Sequence, residues 1–359
     1  MTRRRRAENF SGVEAQLRAL ERSDGEGTLT FADGATLHVS SLSKPFFPEA
    51  GITKGALMRY YTRVAPALLP EIEGRALVLK RYPDGVAGPM FFQQNAGEHV
   101  PEAVRVATLD TVELGAKPRI LGGDLATLLY TVQLGAIEVH PWLSRIENVD
   151  APDRCLIDLD PGDDAPFGDV AALAREVVRI AEACELTVAL KTSGASGIHI
   201  VLPLPPRTTY ETSAALALQL AEAVVAANPD AATVERSVKA RPKKSIYVDA
   251  LQNARGKSMA APCSVRARPA ASVSAPLRLR DLTSRLRIDA FTVGTMPARM
   301  KRVGDLWGDA IATRPTARTL ARALAALQHA SSASPPRRGR RRAGGKHAGP
   351  AAERRAQSA

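Results

Sequence analysis

Apolar residues along this chain recur with two periods. CLIDLD (155–160), TVALKTS (187–193), IHIVLPL (198–204) and SIYVDAL (245–251) are short, rich in β-branched residues and bounded by turn formers, so they read as strands. FGDVAALAREVVRIAEACEL (167–186) and YETSAALALQLAEAVVAANP (210–229) repeat apolar positions every three or four residues and read as long helices. Upstream, residues 28–40 alternate loosely and predict a hairpin about Asp33-Gly34. Thr53 is placed to cap a helix over residues 54–69, stopped near Pro70. RALVLKRYP (75–83), PMFFQQ (89–94) and IEVHPWL (137–143) read as strands, and LATLLYTVQLGA (125–136) as a buried helix opened by Asp124 and ended by Gly135. MAAPCSV (259–265) reads as a further strand and residues 316–330 as a last helix, while 276–302 show no clear period. No internal repeat is present. Several strands follow one another without an intervening helix, so the pattern predicts an α+β fold. Its central sheet is mixed or antiparallel and flanked by helices, not doubly wound and parallel.

Composition changes this picture mainly at the ends. The chain has 359 residues, 45% of them hydrophobic, and a net charge of +12. Arg3–Arg6 and the eight basic residues beyond position 330 hold nearly all of that excess, leaving the middle close to neutral. The stretch 331–359 is rich in Pro, Gly, Ala and Arg and is expected to be a disordered basic tail. Residues 1–24 read as a basic extension, 25–312 as the main domain, and 313–330 as a terminal helix. Basic tails of this kind favour nucleic acid through counterion release. No run approaches the roughly 18 apolar residues of a membrane span, and no apolar segment follows the basic start, so a soluble cytoplasmic protein is expected. Cys155, Cys184 and Cys263 are odd in number and lack C-x-x-C spacing, which argues against a disulfide framework or structural zinc.

The chemistry starts at CLIDLDPGDD (155–164). Strand side chains alternate faces, so Asp158 and Asp160 point the same way, roughly 6.5 Å apart along the strand. Ile157 and Leu159 face the other way, where a helix can cover them. Pro161-Gly162 ends the strand. Asp249 is a further carboxylate at the end of an otherwise apolar strand. Three such carboxylates suffice to hold two divalent ions about 3.5–4 Å apart for phosphoryl transfer. D-x-D alone is a short pattern, and each Asp could equally cap a turn or pair with an arginine. Phosphatases with an aspartyl nucleophile also carry D-x-D, but usually continue with a small hydroxyl residue; here Pro-Gly-Asp-Asp follows.

LKTSGASGIHIVLP (190–203) adds Ser193, Gly194, Gly197 and His199 in a strand–turn–strand unit. With DLDP upstream and YVDALQNARG downstream, the chain resembles the archaeo-eukaryotic primase superfamily, and specifically the polymerase domain of bacterial DNA ligase D. SKPFFPEAGITKG, FFQQNA, LGAIEVHPWLS and APCSVRARP extend the resemblance over roughly residues 38–306. No ligase lysine motif is found, so a stand-alone polymerase is expected.

The resemblance implies a primase-polymerase fold with N-terminal α/β elements packed on its sheet. It implies a template-directed nucleotidyl transferase that adds NTPs or dNTPs, with a taste for ribonucleotides, at gaps and double-strand breaks in non-homologous end joining. Asp158, Asp160 and Asp249 would hold two Mn2+ or Mg2+ ions. Ser193 and His199 would meet the nucleotide phosphates, with Lys80 and Arg266 adding positive charge, and Gln252 and His140 would line the pocket near the sugar. Lys44 and Lys54 would grip a DNA 5′-phosphate. Phe91 and Phe92 would meet the template, one stacking on a base and the other expected in the core. DNA, and a Ku protein and an ATP-dependent ligase, would be its partners. The chain departs from the family pattern at Ser41, where asparagine is expected, at Ser196, where lysine is common, at Cys263, where tyrosine is usual, and at Pro242. These departures keep open a DNA-end-binding accessory protein with weak catalysis. The acid trio alone would also permit a phosphohydrolase or nuclease.

Overall fold

The structure, a computed structural model, describes residues 9–111 and 115–332; the Arg3–Arg6 run and the tail beyond Ser332 lie outside them. Helix α1 (Phe10–Arg22) comes first, its N-terminus capped by the Asn9 side chain, which accepts from the Gly12 N–H at 2.8 Å. It falls in the stretch read above as a mere extension. Val13 and Leu17 are one helical turn apart and bury their face against α2. The expected hairpin forms as β1 (Gly27–Thr30) and β2 (Thr36–Val39), with Gly34 at φ +90° in its turn.

A second hairpin, β3 (Pro45–Phe47) and β4 (Ile52–Thr53), leads into α2 (Lys54–Ile72). Thr53 caps α2 as predicted, accepting from the Ala56 N–H at 3.1 Å. The helix does not stop near Pro70: it runs through Pro66 and Pro70 to Ile72. Each proline forfeits one backbone bond, but α2 is buried along most of its length, by Leu57, Tyr60, Tyr61, Val64 and Leu68 among others. Tertiary packing outweighs the local cost.

A three-stranded antiparallel sheet follows, ordered β6 (Phe91–Gln93), β5 (Leu77–Arg81), β9 (Ala136–Pro141). Between β6 and β9 come a hairpin absent from the sequence reading, β7 (Val106–Thr111) with β8 (Gly115–Ile120), and helix α3 (Leu125–Gln133). Asp124 caps α3 and Gly135 ends it at φ +84°.

The second half builds the main sheet: β10 (Arg154–Pro161), α4 (Phe167–Ala183), β11 (Ala189–Thr192), β12 (Ile198–Pro203), α5 (Tyr210–Ala227), β13 (Ala232–Thr233), β14 (Ile246–Asp249) and β15 (Pro276–Leu277). Its spatial order is β13-β14-β10-β12-β11-β15, antiparallel except for β13 against β14, so the sheet is mixed as expected. Residues 259–265 do not form the expected strand. They run beside β9, with Ala261 N–H donating to the Val139 carbonyl at 2.9 Å, until Cys263 turns into the left-handed region at φ +65°. Helices α6 (Met296–Val303), α7 (Leu306–Ala312) and α8 (Ala317–Ser332) complete the described chain. The last of these reaches two residues into the stretch expected to be disordered. No helix among the described residues is long and apolar enough to cross a membrane.

Each face of β10 has its own work. Cys155, Ile157 and Leu159 enter the main core with Val170, Val177, Leu216 and Leu220 of α4 and α5. On the opposite face Leu156 packs with Ala189, Val201, Trp307 and Ile311, and beyond it the strand carries Asp158 and Asp160. At its other end Arg154 forks onto Glu71 of α2 at 2.8 and 3.2 Å, both groups buried.

Glu71→Ala should therefore cost about 3 kcal/mol in chemical denaturation, the low end for a broken buried pair, because Asp153 still faces Arg154 at 3.3 Å. Asp153 gives a pH signature. Burial pushes its carboxyl up, but Arg75 and Arg154 pull harder and hold it at about 2. A depressed carboxylate contributes stability above its ordinary value of 3.8 and loses that contribution as pH falls towards 2. Stability of Asp153→Asn, followed by acid denaturation, should fall less steeply over that window than that of the parent.

Candidate active site

The register of the main sheet aligns the chemistry. Asp158 of β10 lies directly opposite Asp249 of β14 on one side and His199 of β12 on the other, and His199 lies opposite Lys191 of β11. Four polar side chains thus stand abreast across four strands, in the order Asp249, Asp158, His199, Lys191. Asp160 follows two residues on, opposite Tyr247.

Lys191 was absent from the sequence reading, and it is fully buried. Ser274 Oγ donates to the Thr192 carbonyl at 2.8 Å and so accepts from Lys191 Nζ, also at 2.8 Å. The lysine then donates to His199 Nδ1 at 2.6 Å. This leaves the proton on His199 Nε2, which faces Asp158 Oδ1 at 3.4 Å. Burial, with Lys191 next to it, lowers His199 to about 4, so the ring is neutral at pH 7. The missed signal was a lysine in TVALKTS, the kind of charge that strands bury only when it is partnered.

The carboxylates are unequally satisfied. Asp249 accepts from the Leu251 N–H at 2.8 Å and from Gln252 Nε2 at 3.0 Å. Asp158 Oδ1 is buried and, among the described residues, accepts no hydrogen bond, with His199 Nε2 no nearer than 3.4 Å. Asp160 is pushed up to about 6, first by burial and then by the negative charges of Asp158 and Asp249. Burial also pushes Asp158 up, but His199 and Lys191 bring it below the usual range. Among the described residues no three His, Cys, Asp or Glu side chains converge as a closed metal cluster. The donor set nonetheless suits a hard divalent cation, through an orphaned carboxylate oxygen and a neighbour raised by like charge. Asp249 would reach such an ion by releasing Gln252. Arg241 stacks 3.6 Å above the Tyr247 ring, and its charge draws Asp160 down. Asn253 pins this turn to β10, accepting from the Leu156 N–H at 2.8 Å and donating to its carbonyl at 2.7 Å.

Ser193 starts the turn between β11 and β12. Its Oγ accepts from the N–H groups of Ala195, Ser196 and Gly197 at 3.1, 3.2 and 2.9 Å. A Cβ on Gly197 would sit 2.0 Å from the Leu159 carbonyl oxygen, so only glycine lets this turn close onto β10. Ser196 is exposed at its tip. Pro242 accepts from both the N–H and Oγ of Ser245 in the turn entering β14.

Glu138, also unforeseen, gathers three of the expected residues. Its buried carboxylate receives Lys80 Nζ at 3.2 Å, His140 Nε2 at 2.8 Å, Arg266 Nε at 3.0 Å and the Ala267 N–H at 3.1 Å. Burial pushes Glu138 up, but these partners hold it well below the usual carboxylate range. His140 is lowered by its burial. Arg266 Nη1 also donates to the Ser193 carbonyl. One guanidinium therefore ties the small sheet to the turn of the large one. A lone Glu in the apolar strand IEVHP was a signal of the same kind as Asp158.

The remaining candidates lie along the small sheet and the β3–β4 hairpin. Lys54 donates its backbone N–H to the Lys44 carbonyl at 2.9 Å, which sets the two lysines side by side. Lys54 Nζ donates to the Ser40 carbonyl at 2.9 Å, and burial, then the charge of Lys44, lowers it to about 8. Lys44 pairs with Asp84 at 2.8 Å. Ser41 holds a left-handed backbone at φ +56°, a conformation asparagine accepts more readily. Phe91 and Phe92 are 45% and 61% exposed. The expectation that one belongs to the core is therefore wrong: on β6, an edge strand of the small sheet, both rings stay exposed among the described residues. Arg81 lies 5.0 Å from the Phe91 ring centre.

Residues 53–307 match the family model of the LigD primase-polymerase domain. The bifunctional non-homologous end joining protein LigD of Bacillus subtilis is 33% identical over 269 residues, covering 75% of this chain and 43% of that protein. The multifunctional LigD of Pseudomonas aeruginosa is 29% identical over 283 residues, covering 78% and 33%. The chain thus spans less than half the length of these curated relatives. Among solved structures, the polymerase domain from Mycobacterium tuberculosis ligase D in complex with DNA superposes with a TM-score of 0.72 at 28% identity, covering 78% of this chain and 99% of that one.

Replacing Lys191 by Met should free the His199 ring. Long-range 1H–15N spectra should show a single Nε2–H tautomer in the parent and a mixture in Lys191→Met. An unchanged tautomer would mean that the lysine does not set it.

Proposed function

The chain belongs to the LigD primase-polymerase domain family, and on that premise we propose that it is a template-directed nucleotidyl transferase acting at gaps and double-strand breaks in non-homologous end joining. Asp158 and Asp249 abreast in the sheet, with Asp160 next on the same face, carry this reading. Asp158, Asp160 and Asp249 hold two Mn2+ or Mg2+ ions, which when bound supply activation of the primer 3′-hydroxyl and charge neutralisation at the triphosphate.

The rest follows from what each side chain can do. His199 points its Nε2–H along the row towards Asp158 and donates to a nucleotide phosphate oxygen there. The turn after Ser193 brings backbone close to the triphosphate. Arg266 and Lys80, already oriented by Glu138, add positive charge without first having to be ordered. Gln252 and His140 border the sugar and bear on the choice between NTPs and dNTPs. Phe91 and Phe92 offer exposed rings on which template bases stack, worth roughly 1–3 kcal/mol per base. Lys44 and Lys54 take a DNA 5′-phosphate, and Lys54 lies at the start of a long helix, where backbone N–H groups favour anions. A Ku protein and an ATP-dependent ligase are the partners this role requires, in a cytoplasmic, nucleoid-associated setting.

The direct test supplies a 5′-phosphorylated gapped duplex, manganese and either ribo- or deoxyribonucleotides. Asp158→Ala or Asp249→Ala should bring templated addition below detection while leaving gap binding nearly intact. If either variant extends a primer at the parental rate, the carboxylate assignment is wrong. Gap binding without addition by the parent protein would make the chain a DNA-end binder instead, and strand shortening would make it a nuclease. Lys44→Ala/Lys54→Ala should lose about tenfold or more in preference for the phosphorylated gap, the scale of one or two charge-assisted bonds. Equal binding of phosphorylated and unphosphorylated gaps by the parent would remove the 5′-phosphate role.

A further inference from the structure

Glu138 and His140 are two residues apart on β9 and share one face of that strand. The polarity of the bond between them follows from what else Glu138 holds. Its Oε2 receives His140 Nε2 at 2.8 Å and Arg266 Nε at 3.0 Å. Its Oε1 receives Lys80 Nζ at 3.2 Å and the Ala267 N–H at 3.1 Å. An ionised carboxylate offers about four lone-pair directions, and these four donors take them all. Such a carboxylate has no proton to give, so His140 Nε2 is the donor.

Charge around the ring decides whether Nδ1 is protonated as well. Glu138 already faces both Lys80 and Arg266, so a third cation beside them is disfavoured. Burial, with Arg266 and Lys80, brings His140 below its ordinary value of 6.5 against the pull of Glu138. The ring is therefore neutral at pH 7, with Nδ1 bare. Nδ1 makes no hydrogen bond among the described residues and is not one of their sealed polar atoms, and the side chain keeps 16% of its surface exposed. Gln252, the other residue expected near the sugar, has no such fixed polarity. Its amide is oriented by Asp249, and that contact ends when Asp249 takes an ion. Glu138 holds no ion in this scheme, so its grip on His140 persists in the loaded site.

Resting on the nucleotidyl transferase reading, with His140 beside the sugar, we propose that Glu138 is the positioning residue for sugar choice: it locks His140 as the Nε2–H tautomer and presents Nδ1 to a hydroxyl that donates. The 2′-hydroxyl of a ribonucleotide is then recognised by its proton. A deoxyribonucleotide leaves Nδ1 unanswered, a loss of roughly five- to tenfold for one neutral hydrogen bond. A 2′-fluoro nucleotide keeps a ribose-like pucker and an electronegative atom but has no proton, so it gains nothing over the deoxy form.

Two measurements test this. The chain has six histidines, and His140→Asn assigns the His140 signal in long-range 1H–15N spectra of the protein without nucleotide. That signal should show Nε2–H alone in the parent. Single-nucleotide addition opposite one template base should then give kcat/KM for the NTP roughly five- to tenfold above both the 2′-fluoro and the deoxy forms, with those two within about twofold of each other. Glu138→Gln puts an NH2 among the donors and releases the ring. It should show mixed tautomers and narrow the ratio of NTP to 2′-fluoro to about twofold. Released Lys80 and Arg266 would raise KM for every triphosphate alike, so the ratio between sugars isolates the histidine. If Glu138→Gln does not fold, the parent's tautomer and its ranking of the three sugars still support or overturn the proposal. An Nδ1–H or mixed tautomer in the parent, 2′-fluoro used as well as the NTP, or a parental ratio in Glu138→Gln with its tautomer changed would each overturn it. No addition from any triphosphate would overturn the transferase reading, and this proposal with it.

Discussion

The register of β10 against its two neighbours is the constraint on which everything else rests. Cys155, Ile157 and Leu159 must face α4 and α5, and this fixes which way Asp158 and Asp160 point. A slip of one residue would turn both carboxylates into that core and the apolar set out of it, so register is specified by the whole hydrophobic pattern of the strand. Asn253 reinforces it by closing both backbone groups of Leu156. The row Asp249, Asp158, His199, Lys191 is therefore a by-product of core packing.

Charge is compensated around the row and left open within it. Glu138 satisfies Lys80, His140 and Arg266 together, and Arg266 carries that order across to the Ser193 turn. Lys191 is held by Ser274 and His199. What remains open is the buried Asp158 oxygen and the raised Asp160. Buried charge is costly unless paired, so the place where the fold leaves negative charge unpaired is the place where a cation is worth most. The proposed chemistry sits where the electrostatic balance is incomplete.

Much of this was legible in the sequence, and the failures have physical causes. Strands and helices around the carboxylates could be read because their periods of two and of three to four are strong. Asp158 and Asp249 stood out because a carboxylate in an apolar strand violates the pattern. Glu138 and Lys191 violate it equally, yet their role depends on which strands become neighbours, and pairing across 58 residues, as between Lys80 of β5 and Glu138 of β9, is invisible to a local window. Helix α1 was hidden beside the Arg3–Arg6 run, whose charge dominates the reading of the N-terminus. The MAAPCSV stretch had strand composition but meets Cys263 in a left-handed backbone, which composition does not encode. Pro66 and Pro70 of α2 misled in the opposite direction, because burial of the helix overrides a local breaker. Of Phe91 and Phe92, one is expected in the core beside the template-stacking role, yet both are exposed on β6, and which face of a strand stays uncovered is not written in its local sequence.

Whether the three carboxylates act as one unit is read most directly by counting manganese. Electron paramagnetic resonance can follow Mn2+ titrated into the protein with gapped DNA and a non-hydrolysable nucleotide. The account predicts two ions per chain in the parent and loss of tight binding in Asp158→Ala, since that side chain stands between Asp249 and Asp160 on one face. Two ions held with unchanged affinity in Asp158→Ala, or none in the parent, would contradict it.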